Sequence, residues 1–277
     1  MLRRKSAAPF FVAGIFVMAI LIGAVVIFQK EDIDNKTGCP KSGPKSTTII
    51  VIDTSDPLSP TQRIAFQKFL STLVTPPNPN ELITANSDSG NYVSKGHVLV
   101  AYKIIVDEEG EPELLFRRCN PGNPDDRSIK DSLTEGKTLS ILKWDEFERK
   151  LINAFPETLL DQTASISPIL ETLKYVRSAE FPSPAQLKSS QQHVGTIFII
   201  SDMLQNSEKL SHFGDLPPTE NLPSKFALDL TGIEIGVRYL KVDRYSDLQD
   251  DSRPHFKWWR EFFALAGAPL NKPPDVW

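Results

Sequence analysis

The chain has 277 residues, a length that suits one good-sized globular domain or two small ones. Its formal net charge of −4 argues against the basic surface that nucleic-acid binding requires, so no nucleic-acid partner is expected. Hydrophobic residues at 40% and charged residues at 24% are ordinary for a folded protein, which excludes a wholly disordered chain.

The N-terminal segment predicts a single membrane-spanning helix. Residues 7–28 contain 22 positions without a charge, and a helix of that length is about 33 Å long, enough for the ~30 Å hydrocarbon core. Three basic residues at 3–5 precede it, so the positive-inside bias places residues 1–6 in the cytoplasm and everything after the helix at 7–29 outside. The alternative is a cleaved signal peptide, which has a shorter apolar run.

A polar linker follows the predicted membrane helix. Residues 30–46 contain glycine and proline and show no hydrophobic period, so they predict a connection between membrane and domain. The two cysteines, Cys39 in this linker and Cys119 further on, would meet oxidising conditions outside the cytoplasm. A disulfide between them is expected, with two unrelated thiols as the alternative.

The predicted domain, residues 47–268, begins with strands and one helix. A β-branched strand at 47–53 leads into an amphipathic helix at 59–74, where Pro60 suits the first helical position. Two apolar runs at 97–106 and 112–119, separated by a short acidic turn, predict an antiparallel hairpin.

The second part of the domain alternates helices with apolar strands and ends in a proline-rich tail. The predicted segments are a helix at 142–155, a hydroxyl-rich bend at 163–167, a helix from Pro168, a strand at 193–202, a strand at 231–242, a helix at 253–268 and the tail at 269–277. Period 3.6 places Ile64, Leu142 and Ile152 on the apolar faces of their helices. Because Trp258 and Trp259 are adjacent, only one of them is expected to face the core.

This alternation predicts an α/β fold, a doubly wound and mostly parallel sheet with one antiparallel hairpin strand, preceded by a single transmembrane helix. In such sheets, ligands lie at the carboxyl ends of the strands. Asp53 and Asp202 each end a predicted apolar strand, so both carboxylates should reach the same edge of the sheet.

Oxygen-bearing side chains from three segments would converge at that edge. They are Asp53, Ser55 and Asp56 after the first strand, Thr163, Ser165 and Ser167 in the bend, and Ser201 and Asp202 after the later strand. Carboxylate and hydroxyl oxygens are the ligands of hard divalent cations such as Mg²⁺.

On these residues the chain resembles the von Willebrand factor A family. In that family a D-x-S-x-S motif, a loop hydroxyl and a later aspartate bind Mg²⁺, and an acidic residue of a partner protein completes the metal shell. The resemblance implies Asp53, Ser55, Ser165 and Asp202 as metal ligands, with Asp56, Ser59 and Ser167 as further candidates. Pro57 replaces the last serine of the motif, and Met203 replaces the glycine often found after the final aspartate.

Each of these residues also has a purely structural interpretation. Asp56 and Ser59 could cap the helix that starts near Pro60, and a serine of the bend could cap the next helix. Asp202 could accept backbone N–H groups in its turn. The four histidines, His97, His193, His212 and His255, are scattered without metal-ligand spacing, which argues against zinc.

The leading hypothesis is a non-enzymatic protein-binding module, anchored in a bacterial inner membrane, facing the periplasm and belonging to a membrane-associated assembly. The alternative is a metal-dependent hydrolase that uses Asp53 and Asp202, although the sequence indicates no general base beside them. Ala19 and Gly23 form a small-xxx-small pair that would let two membrane helices pack into a homo-oligomer; the alternative is that they are simply small residues of the membrane helix.

Overall fold

One six-stranded sheet organises the molecule, in the strand order β3-β2-β1-β4-β5-β6. The computed structural model describes residues 32–76, 91–104, 111–125, 136–186, 193–249, 254–270 and 275–277. The strands are β1 (Thr47–Ile52), β2 (Val98–Lys103), β3 (Glu113–Cys119), β4 (Gly195–Ser201), β5 (Ile233–Tyr239) and β6 (Asp275–Val276).

Helices connect these strands and cover both faces of the sheet. They are α1 (Pro60–Val74), α2 (Lys137–Asn153), α3 (Glu157–Leu160), α4 (Ile169–Glu180), α5 (Leu222–Phe226), α6 (Ser246–Gln249) and α7 (Pro254–Leu265). Short 3-10 helices lie at Pro184–Gln186 and Asp243–Tyr245.

The sheet is parallel except for one pair of strands. β1 lies between β2 and β4, with Ile49 opposite Val100 on one side and Ile197 on the other. β5 pairs parallel with β4, and β6 pairs parallel with β5. β3 runs antiparallel to β2, as the hairpin pattern predicts, so the expected α/β class with a mostly parallel sheet is confirmed.

Two hydrophobic cores lie on opposite faces of the sheet, because side chains alternate along each strand. Ile49 and Val51 of β1 belong to the core covered by α4 and α7. Ile50 and Ile52 belong to the core covered by α1 and α2, together with Phe66. β1 is therefore buried on both faces, which explains its unbroken run of apolar residues.

The faces of two helices differ from the prediction. Ile64 of α1 is 69% exposed, and Leu142 and Ile152 of α2 are 60% and 66% exposed. α2 instead buries the narrower stripe formed by Trp144, Phe147 and Leu151. A helix packed on one side of a sheet buries only that stripe, so period 3.6 alone overestimated the buried surface.

The expectation that only one tryptophan of α7 faces the core is wrong. Trp259 is fully buried and Trp258 is 5% exposed. Trp258 donates from its indole nitrogen to the backbone oxygen of Pro217 at 2.7 Å, so the segment after β4 packs over the second face of the helix. A helix covered from two directions can bury two adjacent side chains.

The described part of the predicted linker folds against the sheet. Cys39 forms a disulfide with Cys119 at the end of β3, and their Cα atoms are 4.9 Å apart. An isolated bridge between Ile33 and Pro40 closes a small hairpin in the same segment. Residues 32–46 are thus attached to the amino edge of the sheet, the edge at which β1 begins.

The predicted membrane helix at 7–29 lies outside the described residues. Within the described ranges, no helix combines the length and the apolar character needed to cross a bilayer.

Candidate functional site

Asp53 lies at the carboxyl end of β1, where its backbone N–H still bonds to β4 through the oxygen of Ile200 at 2.8 Å. The side chain is buried and accepts three hydrogen bonds. Oδ1 accepts from the backbone N–H of Ser55 at 2.9 Å, while Oδ2 accepts from the hydroxyls of Ser167 at 2.7 Å and Ser201 at 2.8 Å. Three segments far apart in the chain therefore meet on one carboxylate.

Asp202 is the second carboxylate of this edge and directly follows β4. Its Oδ1 accepts from the backbone N–H of Leu204 at 2.9 Å, and the hydroxyl of Ser201 lies 3.5 Å from the same oxygen. Because Ser201 also donates to Asp53, the two carboxylates lie on either side of a single hydroxyl. The structure thus brings together the two aspartates that end the apolar strands.

The electrostatics of this pair favour one negative charge over two. Burial, followed by the charge of Asp53, raises the pKa of the Asp202 carboxyl well above its usual value. Asp56 adds to the effect, whereas the N–H of Leu204 opposes it. Two neighbouring carboxylates that are shielded from water repel each other when both are charged, so the binding of a proton or a cation there is favoured.

The hydroxyl that reaches Asp53 is Ser167, not Ser165. Ser167 is buried, and its Oγ donates to Asp53, although the sequence analysis placed Ser165 ahead of it. Ser165 is exposed and contributes its backbone oxygen to the side-chain amide of Asn206 at 2.8 Å. Alternate side chains of the bend before α4 point inward and outward, so the backbone path decides which serine reaches Asp53.

The other candidates near β1 have structural roles. Ser59 caps α1, because its side chain accepts from the N–H of Gln62 while the Gln62 side chain accepts from the N–H of Ser59. Asp56 forms an ion pair with Arg244. Pro57 is exposed and offers no side-chain oxygen, and Ser55 is half-buried next to Asp53.

Met203, the residue after Asp202, has a backbone conformation that favours glycine. Its φ is 59°, in the left-handed region, and its side chain is fully buried. Its backbone oxygen contacts Trp259 Nε1 at 2.7 Å and His255 Nε2 at 2.8 Å. Helix α7 therefore holds the turn that positions Asp202, which compensates the strain of a side chain at positive φ.

A small exposed group of aromatic and basic side chains adjoins the aspartates, and the sequence analysis missed it. The guanidinium of Arg244, paired with Asp56, lies 4.7 Å from the ring centre of Tyr245. Tyr245 in turn contacts the ring of Phe213 at 5.2 Å, and Phe213 is 46% exposed. We call Phe213, Arg244 and Tyr245 the aromatic platform. Phe213 lies in the segment after β4 and the other two in the 3-10 helix after β5, and no local sequence pattern distinguishes the three residues.

The side-chain oxygens at this edge are ligands of the kind that hard cations prefer. Within the ranges that the structure describes, no three side chains of histidine, cysteine, aspartate or glutamate are grouped so as to hold a metal ion. The oxygens that converge come from two carboxylates and from serine hydroxyls. Such a set fits Mg²⁺ in kind, with waters completing the coordination.

No protein-family model matches this chain, and no curated protein matches its sequence significantly.

Proposed function

We propose that the chain is a membrane-anchored, extracytoplasmic protein-binding module of the von Willebrand factor A type, and a component of a bacterial membrane-associated assembly. The observation that carries the proposal is the meeting of Asp53 and Asp202 on the hydroxyl of Ser201 at the carboxyl edge of the sheet. In open α/β sheets, this edge is where ligands bind.

The aromatic platform supports a protein as the ligand. Arginine and aromatic side chains are enriched at the centres of protein interfaces, where they supply rigid contact area. Phe213 is 46% exposed, and it lies beside Tyr245 and thus beside the ion pair of Arg244 with Asp56. A partner that covers this platform would at the same time cover the edge where Asp53 and Asp202 lie.

Mg²⁺ is the cation that the donor set would accept. Asp53, Ser55, Ser167 and Asp202 would hold it, and the ion would supply positive charge for a carboxylate of the partner. This assignment replaces Ser165 with Ser167, because Ser167 contacts Asp53. With proline at position 57, the protein supplies one side-chain oxygen fewer than the family motif, so weak Mg²⁺ affinity is expected.

Photo-crosslinking in native membranes tests the proposal. A photo-reactive amino acid at Phe213 should give an adduct of one defined mass, and that adduct should weaken in the Asp53→Asn variant. The matched control places the same probe at Ile64, which is 69% exposed on α1, a helix on one face of the sheet. Equal adducts at both positions, or none at Phe213, would contradict the proposal. An adduct of twice the mass of the chain would identify a second copy as the partner.

The hydrolase alternative makes a different prediction for the same residues. Phosphatase and nuclease assays on the full chain with Mg²⁺ or Mn²⁺ should show no turnover above that of the Asp53→Ala variant. Metal-dependent turnover that disappears in Asp53→Ala would replace the binding function with an enzymatic one.

A further inference from the structure

Half of the Asp202 carboxylate has no partner in the part of the chain that the structure describes. The residue is 4% exposed. Its Oδ1 accepts from the N–H of Leu204 and lies 3.5 Å from the hydroxyl of Ser201, whereas Oδ2 accepts no hydrogen bond from a described residue. A buried carboxylate with an unpaired oxygen is costly, so a ligand that donates to Oδ2 would bind favourably.

Asp202 lies within electrostatic reach of the aromatic platform. The hydrogen bond to Asp56 and, more weakly, the charge of Asp202 raise the pKa of Arg244. Burial and, more weakly, the charges of the same two aspartates raise the pKa of Tyr245. Such effects decay with distance, so the unpaired oxygen of Asp202 borders the surface on which the exposed ring of Phe213 contacts Tyr245.

Arg244 itself shows how this edge holds a guanidinium. It pairs with Asp56, and its Cζ lies 4.7 Å from the ring centre of Tyr245. A guanidinium in this position gains from the charge of the carboxylate and from cation–π contact with the ring. Asp202 and Phe213 are a second carboxylate and a second ring at the same edge, and within the described ranges neither is paired with a cation.

Negative charge is concentrated at the carboxyl edge of the sheet. The described segments that lie there are 53–63, 103–104, 111–113, 154–171, 202–216, 240–249 and 254–257. They contain twelve acidic and six basic side chains, whereas the whole chain has a net charge of −4. Their two histidines, His212 and His255, add no charge at neutral pH, because burial lowers the pKa of both. A positively charged partner is therefore attracted to this edge, and a negatively charged one is repelled.

We infer that the partner of the proposed function binds the carboxyl edge through an arginine in a positively charged segment. Its guanidinium donates to Oδ2 of Asp202 and stacks on the ring of Phe213. Arginine fits better than lysine, because its planar fork can pair with a carboxylate and stack on a ring at the same time. The inference rests on the proposed function and adds the chemistry of the partner. This contact needs no metal, in accord with the weak Mg²⁺ affinity expected from proline at position 57.

Peptide binding to the full chain in detergent micelles tests the inference. The probe is the dye-labelled peptide Gly-Arg-Leu-Arg-Leu-Arg-Gly, and its two counterparts carry lysine or glutamate in place of every arginine. Fluorescence anisotropy is measured in EDTA, so that no divalent cation contributes. The arginine peptide should bind, the lysine peptide should bind more weakly, and the glutamate peptide should not bind. Absence of binding by the arginine peptide, or equal affinity for the lysine peptide, overturns the inference.

Two pairs of variants separate the proposed contact from general charge attraction. Asp202→Asn should weaken binding of the arginine peptide about tenfold, because it removes a hydrogen-bonded ion pair. Its matched control is Asp229→Asn, which removes one exposed negative charge before β5, at the opposite edge, and should leave the affinity unchanged. Equal weakening by both variants overturns the inference.

The second pair concerns the ring. Phe213→Ala should weaken binding of the arginine peptide about threefold, the range of an exposed cation–π contact. Its control is Ile64→Ala, which removes a 69% exposed apolar side chain from α1 and should have no effect. An unchanged affinity in Phe213→Ala overturns the stacking contact.

Peptide competition in the photo-crosslinking experiment distinguishes the two ways of failing. An excess of the arginine peptide should suppress the adduct of the probe at Phe213, and the glutamate peptide should not. An adduct that persists in excess arginine peptide shows a partner bound without this contact, which overturns the inference alone. Absence of an adduct without any peptide overturns the proposed function, and with it the inference about the partner.

Discussion

Acidification should weaken the packing of the segment after β4, because His212 is buried there in its neutral form. Its ring centre lies 4.6 Å from that of Trp258, 5.5 Å from that of Trp259 and 5.2 Å from that of His255. Burial, followed by the charge of His255, lowers the pKa of His212 from 6.5 to about 3, and the nearby oxygen of Met203 opposes this shift only in part. Among the described residues, neither ring nitrogen meets a partner in hydrogen-bonding geometry.

The sign of the effect follows from which state binds the proton. The unfolded chain takes up this proton near pH 6.5, whereas the folded protein does so only near pH 3. The contribution of neutral His212 to the free energy of unfolding is therefore fully present above pH 6.5, and it is lost as the pH falls toward 3. One pKa unit corresponds to about 1.4 kcal/mol, so His212 alone lowers the free energy of unfolding by about 2 kcal/mol between pH 7 and pH 5.

The His212→Phe variant isolates this contribution. Phenylalanine keeps an aromatic ring in the buried position and cannot take up a proton. Denaturant unfolding of the full chain in detergent micelles is measured at pH 7 and pH 5, and the loss of stability should be about 2 kcal/mol smaller in the variant than in the wild type. His193→Phe, at an exposed histidine, is the control and should leave the wild-type difference unchanged. Equal losses in His212→Phe and wild type would refute the reasoning.

Three further predictions concern stability, each measured as the free energy of unfolding. Reduction of the Cys39–Cys119 disulfide, whose cysteines are 80 residues apart, should cost up to about 4.5 kcal/mol, because the unfolded chain gains loop freedom. Asp202→Asn should stabilise the protein at pH 8 and not at pH 3, since a raised pKa in the folded state makes ionisation above 3.8 unfavourable. Gly195→Ala should destabilise by about 3 kcal/mol, because its Cβ would lie 2.1 Å from a backbone oxygen of β1, whereas Gly214→Ala, with open space, should change stability by less than about 0.5 kcal/mol.

Local sequence patterns were sufficient for the longer helices, for five of the six strands and for the class of the fold. The apolar run at 49–52 predicted a buried strand, and β1 lies there. The two runs around the acidic turn predicted the antiparallel pair of β2 and β3. β6 was missed, because two residues carry no detectable period and become a strand only by pairing with β5.

For the site, the sequence determined which strands end in acids. Asp53 and Asp202 were identified because an aspartate after an apolar strand is visible locally, and parallel strands bring such residues to one edge. The choice of Ser167 over Ser165 required the backbone path, whereas capping of α1 was already one of the roles that the sequence indicated for Ser59. Neighbouring serines have the same chemistry, and only their direction decides what they contact.

Contacts between distant segments were decided only by the tertiary structure. The pairing of Arg244 with Asp56 joins segments that follow different strands, and no spacing in the sequence encodes it. The burial of both Trp258 and His212 likewise arises where one loop folds back over α7. Hydrophobic periodicity predicts one buried face for each helix or strand. Burial of a further side chain by a distant segment therefore cannot be predicted from it, because that contact forms only when the chain folds.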